Sequence, residues 1–371
     1  MRLAHQVTWI RGLARLWGFS IVLLFIAVLP VPILVHSVTA TENHQHRQRS
    51  PSNCPTTPPQ QAQRAGFTTL AYCLDGAAPA NATLSNWVNC GGKALANSKI
   101  WNHVDGYCDS QHIFQDVDPT TGQTVLHFRQ LASDTIFCGA GGCRDIGLHT
   151  SAAPPFGQTS FSSPSDAYYE IRFRTTPVLN PRGGNPVPSL FRWSDACYTI
   201  TPACNAGGDI GLGPIEVDFF ETWQSNQGSA QTIDWSSGDH GFYLYSAGDI
   251  GKYVRNWSVD QQHSYGVLVT TDGKYLQQFC GYVDNALISE KNPSTFTSNC
   301  GQYDYRPGHS YSGADEKSHL KLRYHLTWWT GGNARGGTNT GPSDTYLEYI
   351  AVWACPGWQT DNTCVGNGIT Q

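Results

Sequence analysis

The chain has 371 residues, of which 14% are charged and 12% are aromatic, and its formal net charge is −5. Glycine and proline number 38 and 21, and the only methionine is Met1. An average globular protein has about 25% charged residues, so this composition favours an all-β protein with many turns over a helical one. The negative charge and the lack of a basic patch argue against a nucleic-acid partner.

The N-terminus has the composition of an export signal. Three arginines among the first 15 residues precede an apolar run at residues 18–35, and the tripeptide VTA follows at residues 38–40. Residues 1–40 are therefore predicted to be a signal peptide, and the protein to be secreted. An uncleaved membrane anchor is the alternative, because the run has about the length of the shortest membrane span. Pro30 and Pro32 interrupt the run and favour cleavage.

The rest of the chain divides into a linker and one domain. Residues 41–64 are polar and proline-rich, which predicts a flexible or extended linker. Residues 65–371 show no further change of composition and no internal repeat, so they are predicted to form a single domain. Five segments alternate or are rich in β-branched and aromatic residues, namely 124–131, 168–175, 240–246, 263–271 and 345–353. This pattern predicts an all-β, two-sheet antiparallel sandwich.

Twelve cysteines, an even number, predict disulfide bonds in an exported chain. A zinc site is not favoured, because no C-x-x-C pair occurs. Eight of the cysteines form pairs of close sequence neighbours and four do not: Cys138/Cys143, Cys197/Cys204, Cys280/Cys300 and Cys355/Cys364, against Cys54, Cys73, Cys90 and Cys108. The connectivity stays open from the sequence.

The segment IEVDFFETW, from Ile215 to Trp223, places three carboxylates among strand-forming apolar residues. Because side chains alternate across a strand, Glu216 and Asp218 share one face, whereas Glu221 would fall on the apolar side. An unpaired charge there is costly to bury. A β-bulge at Phe219–Phe220 would add one residue and return Glu221 to the polar face. The segment therefore predicts a ladder of three acids on one face of a strand.

Such a ladder suits acid–base chemistry. Neighbouring carboxylates resist simultaneous ionisation, so they separate into an ionised base or nucleophile and a protonated acid, as glycoside hydrolysis requires. A solvated acidic face and a calcium site are the alternatives, although calcium takes oxygen ligands from several directions and a straight ladder supplies one side. No G-x-S-x-G, H-E-x-x-H or G-x-x-x-x-G-K-[ST] motif competes.

The acidic segment resembles the active-site strand of glycoside hydrolase family 16 in its bulged, laminarinase-like form, because EVDFFE fits the pattern E-[apolar]-D-x-x-E. Three further segments are similar to strands of that family: DAYYEIRFRT at residues 166–175, HSYGVLVTTDGKYLQQFCGYVDNALI at 263–288 and TYLEYIAVW at 345–353. The resemblance covers about residues 65–360. Val269, Asn285 and Glu348 depart from the usual pattern, which indicates a divergent member.

The resemblance implies a jelly-roll, concanavalin A-like sandwich whose concave sheet forms a substrate cleft. It implies retaining endo-hydrolysis of a β-linked polysaccharide, with β-1,3- or β-1,3-1,4-glucan as the expected substrate. Glu216 would be the nucleophile, Glu221 the acid/base, and Asp218 would hydrogen-bond the nucleophile and tune its protonation. No cofactor or catalytic metal is expected. A structural calcium ion stays open, since Glu348 replaces the closing-strand Asp that binds one in some members.

Aromatic residues near the acidic strand are the candidates for substrate binding. Trp223 shares the acid face if the bulge lies at Phe219–Phe220, and Trp193 and Trp328 lie near strand edges. His240 begins the strand that follows. These four are predicted to line the cleft, although a buried tryptophan or histidine is the common structural role for each.

Other functions remain open from the sequence. A β-galactan hydrolase of the agarase or carrageenase type is the rival within the enzyme class, because bulged family members act on both kinds of polymer. A transglycosylase usually carries the unbulged E-x-D-x-E. A non-catalytic glycan-binding module would be expected to lose a glutamate, and a polysaccharide lyase would need basic residues for its uronate substrate. A polysaccharide is the expected partner, with no obligate protein partner and a monomeric state.

Overall fold

The computed structural model describes residues 52–78, 88–89, 110–134, 136–139, 142–144, 146–149, 164, 166–176, 189–194, 215–224, 227–234, 240–288, 300–304, 306, 324–330, 338–339 and 342–359. The chain divides into two compact units, Met1–Gln48 and Arg49–Gln371. Every residue described below belongs to the second unit. The predicted signal peptide lies outside the described residues. No helix within them is long and apolar enough to span a membrane.

Strands dominate the described part of the chain, as the sequence predicts. Two short helices accompany them, α1 (Gln60–Arg64) and α2 (Ala247–Tyr253). The strands, numbered along the chain, are β1 (Thr69–Asp75), β2 (Val88–Asn89), β3 (Ile113–Val117), β4 (Thr124–Gln130), β5 (Ile136–Gly139), β6 (Gly142–Arg144), β7 (Ile146–His149), β8 (Ala167–Thr175), β9 (Ser189–Ser194), β10 (Ile215–Gln224), β11 (Gln227–Asp234), β12 (His240–Ser246), β13 (His263–Thr271), β14 (Leu276–Val283), β15 (Ala286–Leu287), β16 (Gly301–Asp304), β17 (Tyr324–Thr330), β18 (Thr338–Asn339) and β19 (Ser343–Ala354).

The five predicted strands are all present, as β4, β8, β12, β13 and β19, with ends that differ by at most two residues. One sheet has the order β15-β14-β13-β8-β19-β4-β3, and β1 and β16 join it beside β19 and β14. A second sheet has the order β12-β11-β10-β9-β17-β7-β2, and β18, β5 and β6 form a third. All described pairings in these sheets are antiparallel.

The two large sheets form a sandwich. Strands β10 and β12 of the seven-stranded sheet contact β8, β13 and β14 of the nine-stranded sheet. Alternate residues of β8, namely Ala167, Tyr169, Ile171 and Phe173, are fully buried in the larger apolar cluster. Ile250 of α2, a helix that contacts β11 and β12, belongs to the same cluster. This cluster is therefore the core between the sheets, and the jelly-roll prediction is confirmed.

A smaller apolar cluster covers the opposite, outer face of the nine-stranded sheet. Ala62 of α1 and the nearby Phe67 are completely buried there, against Tyr168, Ala351 and Trp353. The outer face of this sheet is thus partly covered by the chain that precedes β1.

The predicted linker, residues 41–64, is described from residue 52 onward, and this part packs against the domain. Cys54 forms a disulfide with Cys73 of β1. The Asn53 side chain donates to the Thr124 carbonyl at 2.7 Å, and the Gln61 side chain donates to the Tyr168 hydroxyl at 2.7 Å. Residues 52–64 therefore contact the domain, and the assignment of residues 41–64 as a flexible or extended linker stays a prediction. One disulfide and a few small apolar contacts anchor a segment that is otherwise polar.

Two disulfides join described cysteines. Cys280–Cys300, a pair of close sequence neighbours, links β14 to the start of β16, and Cys54–Cys73 joins two residues that the sequence left unassigned. Cys355 is also disulfide-bonded. Cys138 and Cys143 are directly paired positions across the β5–β6 hairpin. The other cysteines lie outside the described residues.

Glu170 on β8 is a buried carboxyl group on the outer face of the nine-stranded sheet, and 3% of its surface is exposed. Burial raises its pKa to about 7, against the opposing effects of hydrogen bonds to Tyr349 and Ser264 and of the Arg172 charge. Its Oε2 atom has no hydrogen-bond partner among the described residues. The folded protein therefore favours the neutral acid at this position.

The Cys54–Cys73 disulfide should stabilise the packed N-terminal segment. The bond joins residues 19 positions apart, and closing a loop of that size stabilises a protein by about 3 kcal/mol in the chain-entropy model. Replacing both cysteines by serine should lower the free energy of unfolding in urea by about 2–4 kcal/mol. A loss below about 0.5 kcal/mol would show that the segment is held without the bond.

Stability should depend on pH through Glu170. Its folded pKa of about 7 lies above the model value of 4.5, so its contribution to stability is complete below the lower value. That contribution is lost as the pH rises through the folded value. Glu170→Gln cannot ionise, so the variant should gain about 2–3 kcal/mol relative to the parent chain between pH 5 and pH 8.5. Urea unfolding at both pH values measures the gain, and a constant difference would contradict the assignment.

Candidate active site

Strand β10 carries the acidic ladder near the centre of the seven-stranded sheet. Against β11, Glu216 pairs with Ile233, Asp218 with Gln231 and Glu221 with Ser229. Three positions thus separate Asp218 from Glu221, while only two separate their partners. Strand β10 therefore contains one surplus residue between these acids, which defines a β-bulge.

The pairing of β10 with β9 locates the bulge more closely. Asp218 pairs with Phe191, and Phe220 pairs with the adjacent Leu190, so the register shifts between Asp218 and Phe220. The backbone thus has the surplus residue that the sequence predicted at the two phenylalanines.

With this register, the positions of the three acids face alternate residues of β11, namely 233, 231 and 229. Alternate residues of a strand lie on one side of a sheet, so the three acidic positions share a side. About four residue steps on β11 separate the outer two, which corresponds to roughly 13 Å along the strand. The central Asp position lies between them, so charges on all three would repel one another.

Trp193 falls at the level of Glu216 on the neighbouring strand. Arg192 pairs with Val217, so the next residue of β9 continues to the position beside Glu216. His325 of β17 pairs in turn with Trp193. The register therefore brings Trp193 to the acid side, at the first level of the ladder.

Two other predicted cleft residues occupy the alternate register positions. Trp328 pairs with Leu190, which pairs with Phe220 and not with an acid. His240 pairs with Asp234, which pairs with Ile215. The register therefore does not group the Trp328 and His240 positions with those of the three acids, and their role in substrate binding stays a prediction.

A second register shift affects Trp223. It lies between Glu221 and Gln224, and Gln224 pairs with Gln227 only two positions from Ser229. Simple alternation from Glu221 puts Trp223 on the acid side, but it assumes no further irregularity. The second surplus residue shifts the alternation of the strand by one position. Gln224, rather than Trp223, therefore takes the register position on the same side as Glu221. No sequence signal indicated this shift.

Trp329 and His325 were not among the residues predicted to line the cleft. Both lie on the acid side of the register, because Trp329 pairs with Ser189 and His325 with Trp193. The sequence predicted Trp328 as a cleft residue, whereas the pairing of β17 with β9 puts Trp329 on the acid side of the register. Finding this from sequence would require knowing that β17 lies beside β9, and these strands are more than 100 residues apart in the chain.

Glu348 is the position at which the sequence left a calcium ion open. Its Oε2 atom accepts hydrogen bonds from Arg172 Nε at 2.8 Å and from Gln262 Nε2 at 3.0 Å. Across the described ranges, no group of three or more His, Cys, Asp or Glu residues could hold a metal ion. An arginine is therefore the cation at this carboxylate, and the residues present do not fit a calcium site there.

The segments DACYTITPAC (residues 195–204) and GGNARGG (residues 331–337) are predicted from the sequence to form loops at the edge of the cleft, and both fall outside the described ranges.

No protein-family model matches the chain, and no curated protein matches it. Solved structures do. The chain is similar to a mutant of a non-specific endo-β-1,3(4)-glucanase from family GH16, with 14% identity, a TM-score of 0.44, and coverage of 77% of this chain and 94% of that one. It is similar to an endo-1,3-β-glucanase from Streptomyces sioyaensis, with 13% identity, a TM-score of 0.38, and coverage of 72% and 96%.

A third similar structure is an endo-β-galactosidase from Clostridium perfringens that releases GlcNAcα1-4Gal. The identity is 14% and the TM-score 0.44, with coverage of 81% of this chain but only 65% of that one. The chain therefore spans less than two thirds of the galactosidase. At identities and TM-scores this low, no residue role transfers from any of the three structures to this chain.

The register predicts that the two adjacent tryptophans of β17 differ in their effect on stability. Three acids are too costly to bury together, so the acid side should be open and the alternate side should face the core. Trp328→Ala should therefore lower the free energy of unfolding by about 3–5 kcal/mol, and Trp329→Ala by less than about 1 kcal/mol. Urea unfolding of both variants measures the difference, and the reverse order would place the acids on the buried side.

Proposed function

We propose that this chain is a secreted glycoside hydrolase, a retaining endo-β-glycanase that cleaves β-1,3- or β-1,3-1,4-glucan through a glycosyl-enzyme intermediate. The observation that carries the proposal is the single surplus residue of β10, which gives Glu216, Asp218 and Glu221 register positions on one side of the sheet. Three like charges in a row resist simultaneous ionisation, which supports a division into an ionised nucleophile and a protonated acid.

In the proposed first step, the Glu216 carboxylate attacks the anomeric carbon of the sugar. The bond to the leaving glycosidic oxygen breaks, and Glu221 supplies the proton that this oxygen takes up. Glu221 then removes a proton from water, which attacks the same carbon and releases Glu216. Two displacements at one carbon retain its configuration. Asp218 lies between the two glutamate positions and would control which of them holds the proton.

Retaining hydrolysis needs the two carboxyl groups about 5–5.5 Å apart. The backbone separation of roughly 13 Å along the strand is larger. Two glutamate side chains that lean toward the sugar between them close most of that difference.

Aromatic positions on the acid side support a polysaccharide substrate. Trp193 lies at the level of Glu216, and Trp329 occupies the same side two strands away from β10. Flat indole rings suit the apolar faces of sugars. The net charge of −5 agrees with a neutral glycan as partner and with no nucleic acid. We propose a monomer with no obligate protein partner.

Export is part of the proposal. The Cys54–Cys73 and Cys280–Cys300 disulfides support an oxidising compartment outside the cytosol. Cleavage after residue 40 would release the enzyme, whereas retention of the apolar segment would leave it anchored to the membrane. Either state exposes the domain to extracellular polysaccharide.

The experiment is an assay of reducing-end release on laminarin, lichenan, agarose and carrageenan. The parent chain should act on laminarin or lichenan, and Glu216→Gln should reduce that activity at least about 10³-fold, because the amide cannot attack the anomeric carbon. Glu170→Gln, the same substitution on the other sheet, is the matched control and should retain full activity at pH 6.

The outcomes separate the competing functions. Equal activity of the parent chain and Glu216→Gln would refute the catalytic assignment. Activity on agarose or carrageenan alone would identify a β-galactan hydrolase with the same chemistry. No activity on any polymer, together with retarded migration in a glucan affinity gel, would identify a glycan-binding module.

A further inference from the structure

His127 on β4 holds an unusual position on the outer face of the nine-stranded sheet. Its side chain is fully buried, and each of its ring nitrogens faces a carboxylate. Nδ1 lies 3.0 Å from Asp116 Oδ2 on β3, and Nε2 lies 2.7 Å from Asp344 Oδ1 on β19. The imidazole therefore bridges the two strands that flank its own.

Both carboxylates favour their ionised form. Partial burial raises the pKa of Asp116, but hydrogen bonds from His127 and the Val117 amide lower it below its usual value. Burial likewise raises the pKa of Asp344, and hydrogen bonds from His127 and Arg129 outweigh that effect. Ionised carboxylates only accept hydrogen bonds, so both ring nitrogens must donate. An imidazole donates from both nitrogens only when it is protonated.

The surroundings fix the ring in this position. Phe114 of β3 and Tyr346 of β19 lie on either side of it, with ring centroids 4.7 Å and 4.4 Å away. Arg129 and Arg174 lie over the outer faces of these two rings, at 4.8 Å and 4.1 Å.

The other charged groups are paired within the same network. Arg129 donates to Asp344 at 3.1 Å, and Arg174 donates to Asp118 at 2.8 Å. The charges that face His127 from β3, β4, β8 and β19 are therefore Asp116, Asp344, Arg129, Arg174 and Asp118. Arg129 shares Asp344 with His127, so the two carboxylates in direct contact balance one arginine and one positive imidazolium, while Arg174 is bound to Asp118.

We infer that protonated His127 is a clamp that ties the edge strand β3 to β4 and β19, and that loss of its proton releases this edge. β3 pairs with β4 alone among the described strands, so its other edge depends on side chains for support. A neutral imidazole would direct one lone pair at an ionised carboxylate, and that contact would become repulsive. The clamp is independent of the proposed hydrolase activity, because it lies on the other sheet.

The first test measures directly whether each ring nitrogen of His127 carries a hydrogen. The full chain, labelled with ¹⁵N in its 13 histidines, is titrated by NMR from pH 5 to pH 9. At pH 6 both His127 nitrogens should carry hydrogen, because each faces a carboxylate. His263 is the internal reference, because Asp284 contacts its Nδ1 at 2.6 Å and its Nε2 has no partner among the described residues. A bare nitrogen on His127 at pH 6 would overturn the inference.

The second test measures the hydrogen-exchange protection of strand β3. Hydrogen exchange of the Ile113–Val117 amides, corrected for intrinsic rates, should show protection that falls at least tenfold over the pH range in which His127 loses its second ring hydrogen. Protection of the Tyr265–Val269 amides in β13 is the control and should not follow His127. Equal changes in both strands, or no change in β3, would overturn the clamp.

Asp116→Asn removes the negative charge of this side chain and keeps its shape. The amide oxygen can still accept from Nδ1, so the strand should fold normally, but the imidazolium loses one balancing charge. His127 should then lose its second ring hydrogen at lower pH, and β3 protection should fall at that same lower pH. An unchanged profile in this variant would show that the edge is held by packing alone.

Discussion

The strict alternation of side chains along a strand is the constraint on which the candidate site depends. A strand has only two sides, so three acids spaced two and three residues apart cannot share a side without an irregularity. The surplus residue between Asp218 and Phe220 supplies it. The rest of β10 can then remain apolar on its alternate positions, and the sheet keeps its pairing with β9 and β11 on both edges of the strand.

The two large sheets differ in what their faces contact and carry, and this difference follows from that constraint. The nine-stranded sheet is covered on both faces, by the core on one side and in part by the segment around α1 on the other. The seven-stranded sheet carries the acids. The disulfide between Cys54 and Cys73 attaches to β1 the segment that partly covers the nine-stranded sheet.

The outer face of the nine-stranded sheet contains two buried ionisable side chains, Glu170 and His127. Glu170 is buried with one oxygen unpartnered, and burial raises its pKa to about 7. His127 lies between two carboxylates that need its hydrogens. The two groups differ in chemistry, but both are ionisable side chains buried on the same face of the sheet.

The sequence by itself determined the all-β class, the positions of the five strongest strands and the need for a bulge near Phe219, because all of these depend on local alternation and on the cost of a buried charge. It did not indicate the packing of residues 52–64, the second register shift near Trp223 or the register positions of Trp328 and Trp329 across the sheet. Only the tertiary structure decided these, since they depend on a disulfide partner, on irregular pairing and on the neighbour of a distant strand. Local patterns fix which side a residue prefers, whereas the strand across from it is fixed by contacts between residues far apart in the chain.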